Sequence, residues 1–317
     1  MYVMNYLHYG QAGFVQFGTP VLTYGSGEPG EPKIGITCCV HGDETSGLFI
    51  ADRVMEQLKS NDSSLKGTVY ILPAANSAAH LDNKRVSALD HKDLNRVGRG
   101  NKEGSFTERN GAVLFEFLSQ LDFVINIHAF EMRMPVTAVY MNAGNIEVKK
   151  KTLAAISAFS PEMIWVIDAS NGRDSTYLTT LDTALAEVGV PNFPIETSQL
   201  AFLSDKEIER AAQGILNVIS FLSIIDATLP ASNYKTPAYS RHEFTAPYAG
   251  LWEPEVSLLQ PIEPDTKIGT LKVLPNFEAH PIYAQSYGVL IQYRQRQFVA
   301  TGTSLFSLGY SADRFIT

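Results

Sequence analysis

Between residues 34 and 225, short apolar runs alternate with stretches whose apolar residues recur at helical spacing, and this alternation leaves few architectures open. Ile34 to Val40 reads as a buried strand. Leu48, Ala51, Met55 and Leu58 then fall on one face of a helix. Thr68 to Ala74 is the next strand, followed by a polar stretch from Asn76 to Glu108 and a helix through Leu121. Phe123 to His128, Met163 to Ile167 and Phe193 to Thr197 read as strands, with a helix over Ile146 to Phe159 between the first two. Tyr177, Leu178, Leu181, Leu185 and Val188 mark a helix that Gly189 ends. Ser204 and Glu207 form a capping-box pair ahead of the periodic run Ile208 to Leu222. The pattern predicts an α/β layer fold around a mixed, largely parallel sheet.

The rhythm changes near Pro230. Leu229 to Pro237 is turn-rich and reads as a linker, and beyond it only short strand-like pieces separated by turns remain. The expected division is a layered domain at 1–228 and a small all-β domain at 229–317.

Composition removes several classes of function. With 45% hydrophobic and 18% charged residues the chain is ordinary globular material. Its formal charge of −8 repels phosphate backbones, so nucleic acid is not an expected partner. The run Lys149-Lys150-Lys151 reads as a solvated helix start. No apolar run is long enough to span a membrane, and the first residues lack the basic-then-apolar pattern of a secretory signal. The two cysteines, Cys38 and Cys39, are adjacent, which forbids an unstrained disulfide. A reducing cytoplasm is the expected setting. Oligomeric state is not readable.

Four short constellations carry chemistry. His41-Gly42-Asp43-Glu44 stands where a buried strand turns into a helix, so a histidine and a glutamate three residues apart can converge on one ion. Read blandly, the same run is a helix start whose acidic residues complement the dipole. His128 ends the apolar run Val124 to His128 and can face the same crevice, although a lone histidine there is more often a hydrogen-bonded core residue. Asn95 and Arg96, in Asp93-Leu94-Asn95-Arg96, pair an amide donor with a guanidinium fork suited to a carboxylate; the plain alternative is a loop ion pair of Asp93 with Arg96 or Arg99. Glu196 ends an apolar run, where a charged residue needs a role or a partner; a general base is one such role, a solvent-facing strand end the other.

Taken in order, these motifs resemble the succinylglutamate desuccinylase/aspartoacylase family, within the zinc-carboxypeptidase-like (M14) group of hydrolases. The resemblance covers roughly residues 30 to 225, and the tail, with Ala246-Pro247, Gly250, Gly269 and Tyr287-Gly288, is similar to the family's small β domain. It implies a carboxypeptidase-like mixed sheet flanked by helices. It also implies one Zn2+ per chain held by His41, Glu44 and His128. By the same resemblance Asn95 and Arg96 hold a substrate carboxylate, Arg85 polarises the scissile carbonyl, and Glu196 is the catalytic glutamate. Arg173 and Tyr177 are further candidates for substrate contact.

The sequence departs from the family pattern in three places. Val97-Gly98-Arg99-Gly100 replaces a Phe-Pro-Gly turn, Arg85 lies ten residues before Asn95, and Asn126 stands where an aspartate often precedes the third ligand.

The expected function is therefore zinc-dependent hydrolysis of an amide bond in a small substrate with a free carboxylate, of the N-acyl amino acid deacylase type. The alternative within the same chemistry is a metallocarboxypeptidase or amidase acting on short peptides. From another class, the β tail resembles biotinyl and lipoyl carrier domains, with Lys272 as the lysine nearest a central turn, but it lacks the Met-Lys-Met and Asp-Lys-Ala settings of those carriers. A thiol enzyme built on Cys38 or Cys39 is a third reading, against which both residues fall inside an apolar strand.

Overall fold

The structure, a computed structural model, describes residues 2–60, 65–168, 174–226 and 236–316. The first element is a hairpin, β1 (Val3–Ala12) and β2 (Val15–Tyr24), which the helical and apolar periodicities above do not reach. The layered region then supplies β3 (Lys33–Thr37), β4 (Thr68–Leu72), β5 (Phe123–Phe130), β6 (Thr137–Met141), β7 (Met163–Ile167) and β8 (Asn192–Ser198). Its helices are α1 (Ser46–Ser60), α2 (Ser77–Leu81), α3 (Phe106–Leu118), α4 (Ile146–Phe159), α5 (Leu181–Glu187) and α6 (Asp205–Phe221). After residue 236 come only strands and one terminal 3-10 turn: β9 (Ala238–Thr245), β10 (Gly250–Pro254), β11 (Pro261–Ile262), β12 (Lys267–Val273), β13 (Glu278–Tyr283), β14 (Gly288–Tyr293), β15 (Gln297–Val299) and β16 (Ser304–Ser311).

Twelve strands form one sheet in the order β1-β2-β4-β3-β5-β8-β6-β7-β9-β16-β14-β11. β4, β3, β5 and β8 run parallel, β6 is antiparallel to β8, and β7 is parallel to both β6 and β9. Strands covered on both faces must be apolar throughout, which is why β3, β5, β7 and β8 read as continuous runs rather than alternating ones. One face carries α1, α4 and α6 against Ile36, Ile125, Ile127 and Ile195. The other carries α3 and α5 against Val124 and Leu72. Asn126 and His128 share the face of Val124, because successive residues of a strand alternate. Among the described residues no helix is long and apolar enough to cross a membrane.

Several elements end a few residues from the sequence expectation, and in two of them the reason is local. β3 stops at Thr37 because Cys39 adopts a left-handed backbone, with φ of 51°. The expected helix from Tyr177 to Val188 is broken in two, a 3-10 turn at Ser175–Thr179 and then α5. Thr180 between them is extended, and its side chain accepts from the Thr183 N–H to cap α5.

The C-terminal portion is antiparallel and all-β. β9, β16, β14 and β11 continue the large sheet, and β13, β12, β10 and β15 form a second, four-stranded one around buried Trp252. The expected domain boundary at 228/229, and most of the linker, lie outside the described residues. A backbone bridge ties the segment after β5 to β14: Arg133 N–H donates to Tyr293 O at 2.8 Å, and Tyr293 N–H donates back at 3.0 Å. The Arg133 guanidinium then reaches Glu207 of α6 at 3.0 Å.

Candidate active site

His41 leaves β3 on the turn into α1, and Glu44 follows three residues later. Gly42 is required there, although not for its dihedral freedom. A Cβ at this position would lie 2.2 Å from the backbone of Ala79, so only glycine lets α2 approach. His128 comes from the next strand, β5. The three side chains are buried, and one ligand atom from each lies within 4.8 Å of the others. His41 Nδ1 is 2.7 Å from Glu44 Oε1, and His128 Nδ1 is 2.9 Å from Glu44 Oε2. Both imidazoles thus aim the same nitrogen at one carboxylate. His41 Nε2 meets Asp93 Oδ1 at 3.1 Å, a contact that fixes the orientation of the ring. His128 Nε2 is buried without a partner.

The electrostatics fit a cation seat. Burial alone would lower the His41 pKa, but the Glu44 charge and the Asp93 hydrogen bond raise it to about 9. His128 is raised by Glu44 in the same way against its own burial. Glu44 is lowered to about 2, burial being outweighed by His128 and His41. A buried carboxylate flanked by two imidazoles thus gathers positive charge. A divalent ion would supply that charge, with two nitrogens and one oxygen as donors.

Glu196, in β8, stands directly opposite His128 in the β5–β8 register. Its Oε2 is closed off from solvent and has no hydrogen-bond partner, and burial pushes its pKa up to about 8 against the opposing charge of His128. Positive charge in the seat works against that rise.

Arg85 is half-exposed. It donates to Asp93 Oδ2 at 2.9 Å and lies 3.7 Å from Glu44. Asn95 is buried, its Oδ1 accepting from the Leu181 N–H at 3.2 Å. Arg96 donates to Asn95 O at 2.8 Å and stacks 5.4 Å above the Tyr177 ring. Tyr177 in turn meets Trp165 edge-on at 5.8 Å. Arg173 lies outside the described residues. The other sequence candidates all line one cavity of about 570 Å3.

Sequence reasoning missed the far wall of this cavity. Arg241, Glu243, Gln292, Arg294 and Ser304 all reach it from the C-terminal strands and their connections. No local motif marks them; they come together because β9 lies beside β7 and β14 lies two strands further along the sheet.

The departures from the family pattern resolve structurally. Val97 to Gly100 closes a tight turn, Gly100 N–H donating to Val97 O at 2.8 Å, and Arg99 pairs with Glu187 outside the cavity. Asn126 accepts from the Thr37 hydroxyl and donates to the buried carboxylate of Asp182. Lys272 sits within β12, opposite Leu251 and Ala279 and 3.1 Å from Glu253, instead of at a hairpin tip. Cys38 and Cys39 are fully buried, and burial drives their thiols upward, Cys39 to about 12, which leaves no thiolate nucleophile at neutral pH.

Comparison with known proteins adds independent findings. Residues 31–222 match the family described as succinylglutamate desuccinylase/aspartoacylase catalytic domain. A curated relative, the N-alpha-acetyl-L-2,4-diaminobutyric acid deacetylase of Halomonas elongata, is 30% identical over 118 residues, which are 37% of this chain and 33% of the relative. The match therefore spans about a third of that enzyme's length. Among solved structures, the product-bound ectoine utilization protein EutE (DoeB) from Ruegeria pomeroyi superposes with a TM-score of 0.84 at 18% identity, covering 98% of this chain and 95% of the other. A succinylglutamate desuccinylase/aspartoacylase from Rhodobacter sphaeroides gives 0.81 at 17% identity, covering 98% and 96%. At these identities the structural likeness establishes the shared fold.

Proposed function

Because the chain belongs to the succinylglutamate desuccinylase/aspartoacylase family, we propose that it is a zinc-dependent hydrolase cleaving an amide bond in a small carboxylate-bearing substrate, of the N-acyl amino acid class. The observation that chiefly supports this reading is the convergence of His41, Glu44 and His128 beside the unpartnered carboxylate of Glu196. The deacetylase activity carried in the name of the Halomonas elongata relative is of the same kind.

Two histidines and one glutamate form an attested catalytic zinc set, one that leaves a position open. Zn2+ bound there supplies Lewis acidity toward a carbonyl and makes water a stronger acid. Glu196 takes the proton of the attacking water and returns it to the leaving amine. Burial pushes its carboxyl up while positive charge opposite holds it down, a balance that suits a group acting first as base and then as acid. Asp93 holds His41 in register through Nε2. Arg85, half-exposed at the cavity mouth, is placed to donate to oxyanion charge once it turns from Asp93. Arg96, braced on Tyr177, offers its remaining N–H groups to the substrate carboxylate, beside the Asn95 amide.

The test is a screen of zinc-loaded protein against N-acyl amino acids and short peptides, reading released amine, with metal content measured in parallel. His41→Ala and His128→Ala should each lose metal and turnover together. Full metal occupancy in the double variant would overturn the assignment.

A further inference from the structure

The proposed reaction uses Arg96 but leaves a second guanidinium in the same cavity without a role. Arg241, on β9, lies with its Cζ 4.4 Å from the centre of the Trp165 ring and 5.2 Å from that of Phe130. Its Nη1 donates to Gln292 Oε1 at 3.4 Å, and buried Gln292 is itself held by the Ser307 hydroxyl. Among the described residues no carboxylate comes within ion-pair distance of Arg241. Arg85 and Arg294 in the same cavity are neutralised by Asp93 and Glu131. Among the described residues lining this cavity only Arg96 shares the unneutralised state, and it stacks on Tyr177, the ring that meets Trp165. Two unneutralised guanidinium groups therefore stand at either end of one aromatic pair, one delivered by the layered region and the other by the C-terminal strands.

Stacking on aromatic rings fixes a guanidinium without cancelling its charge, and it leaves the planar N–H fork free to grip a carboxylate. Trp165 and Gln292 are both buried, so the position of Arg241 is set before any ligand arrives. An unpaired cation kept half-buried in a cleft is costly unless an anion completes it.

We propose that Arg241 is a specificity-determining residue that binds a second carboxylate of the substrate while Arg96 holds the first. This rests on the amide-hydrolase reading above. The second carboxylate belongs either to the amino-acid side chain or to the far end of the acyl group. Both present the same chemistry to the guanidinium, and paired substrates separate them.

The experiment uses the zinc-loaded full chain. kcat/KM is measured for N-acetylglutamate against its neutral isostere N-acetylglutamine, and for N-succinylalanine against the compound amidated at the succinyl carboxylate. The wild type should favour the charged member of one pair by roughly 10–100-fold, the scale of a charge-assisted hydrogen bond. Arg241→Gln should erase that preference, and Arg241→Lys should restore part of it. Calorimetry with glutamate against glutamine, and succinate against succinamate, repeats the comparison without turnover. If no N-acyl amino acid is hydrolysed yet the binding preference exists and vanishes in Arg241→Gln, the deacylase reading falls and the anchor stands. Wild-type indifference to charge in both pairs overturns the anchor. So does an equal loss on charged and neutral substrates in Arg241→Gln, which, with a shifted pH profile, would assign Arg241 to tuning Glu196, whose charge it senses.

Discussion

The seat formed by His41, Glu44 and His128 holds protons where it would hold a cation, and that competition fixes a pH dependence. Glu44, at about 2, is ionised across the working range. His41 has its pKa raised to about 9, so at pH 7 it is an imidazolium whose proton must leave before Nδ1 can coordinate. A proton held that tightly weakens the apparent metal affinity at pH 7 by roughly 100-fold. The sign follows from the direction of the shift. A raised histidine pKa weakens metal binding at low pH, relieves it about tenfold per unit per displaced proton as pH rises, and stops mattering above about 9. His128 is raised in the same direction, so proton release on metal binding should exceed what His41 alone supplies. Calorimetric titration of zinc into metal-stripped protein, in two buffers of different ionisation enthalpy, counts those protons, and repeating it from pH 6 to 9 gives the slope. Asp93→Asn removes the negative charge of the acceptor that raises His41, so it should reduce proton release while weakening binding by the roughly 10–100-fold typical of lost outer-shell partners. Zero proton release at pH 7 with an affinity flat from pH 6 to 9 would refute the reasoning.

Three further outcomes are expected. Glu196→Gln should keep stoichiometric metal, because Glu196 is outside the three-donor group, and lose roughly 10²–10⁴-fold in turnover; a metal-free variant would mean that base and ligand have been exchanged. Arg96→Lys should lower kcat/KM and Arg96→Ala lower it further, with metal retained in both. Amidating the substrate carboxylate should hurt the wild type far more than Arg96→Ala, and equal rates on free and amidated substrate in the wild type would contradict the carboxylate contact. Ending the chain at residue 235 bares the edge of β7 and the buried cluster of Trp165 with Ile291, so thermal melts should show a large loss of Tm or outright aggregation. A soluble truncated chain with wild-type Tm and unchanged substrate discrimination would rule this out.

How much the sequence discloses depends on how local the cause is. The capping box Ser204–Glu207 forms as written, because both partners lie within one turn. α4 and β7 keep their expected bounds, each set by its own periodicity and flanking breakers. The convergence of His41, Glu44 and His128 is legible because histidine and glutamate are conspicuous at the ends of apolar runs, and parallel strands bring such ends together. The break at Thr180 is hidden, since its cause is a side-chain cap competing with an unbroken helical periodicity. The role of Gly42 is misleading in sequence, where a glycine suggests a turn; the contact that demands it comes from α2, more than thirty residues on. Arg241 and Gln292 are illegible for a stronger reason. Each is one polar residue within a strand, and its meaning depends on which strand the sheet places beside it.

The reciprocal bridge between Arg133 and Tyr293 has a consequence for how such an enzyme can change over evolutionary time. His41, Glu44, His128 and Glu196 all precede residue 200, whereas Arg241, Gln292 and Arg294 follow residue 236. The residues proposed for hydrolysis and the proposed contact to a second carboxylate thus lie in separate stretches of the gene, joined by backbone contacts that do not depend on side-chain identity. Substitutions in the later stretch can redirect the enzyme toward a new acyl or amino-acid partner while the hydrolytic centre is inherited intact. An exchange of whole C-terminal segments between relatives would keep its register as long as that bridge and the β7–β9 pairing re-form.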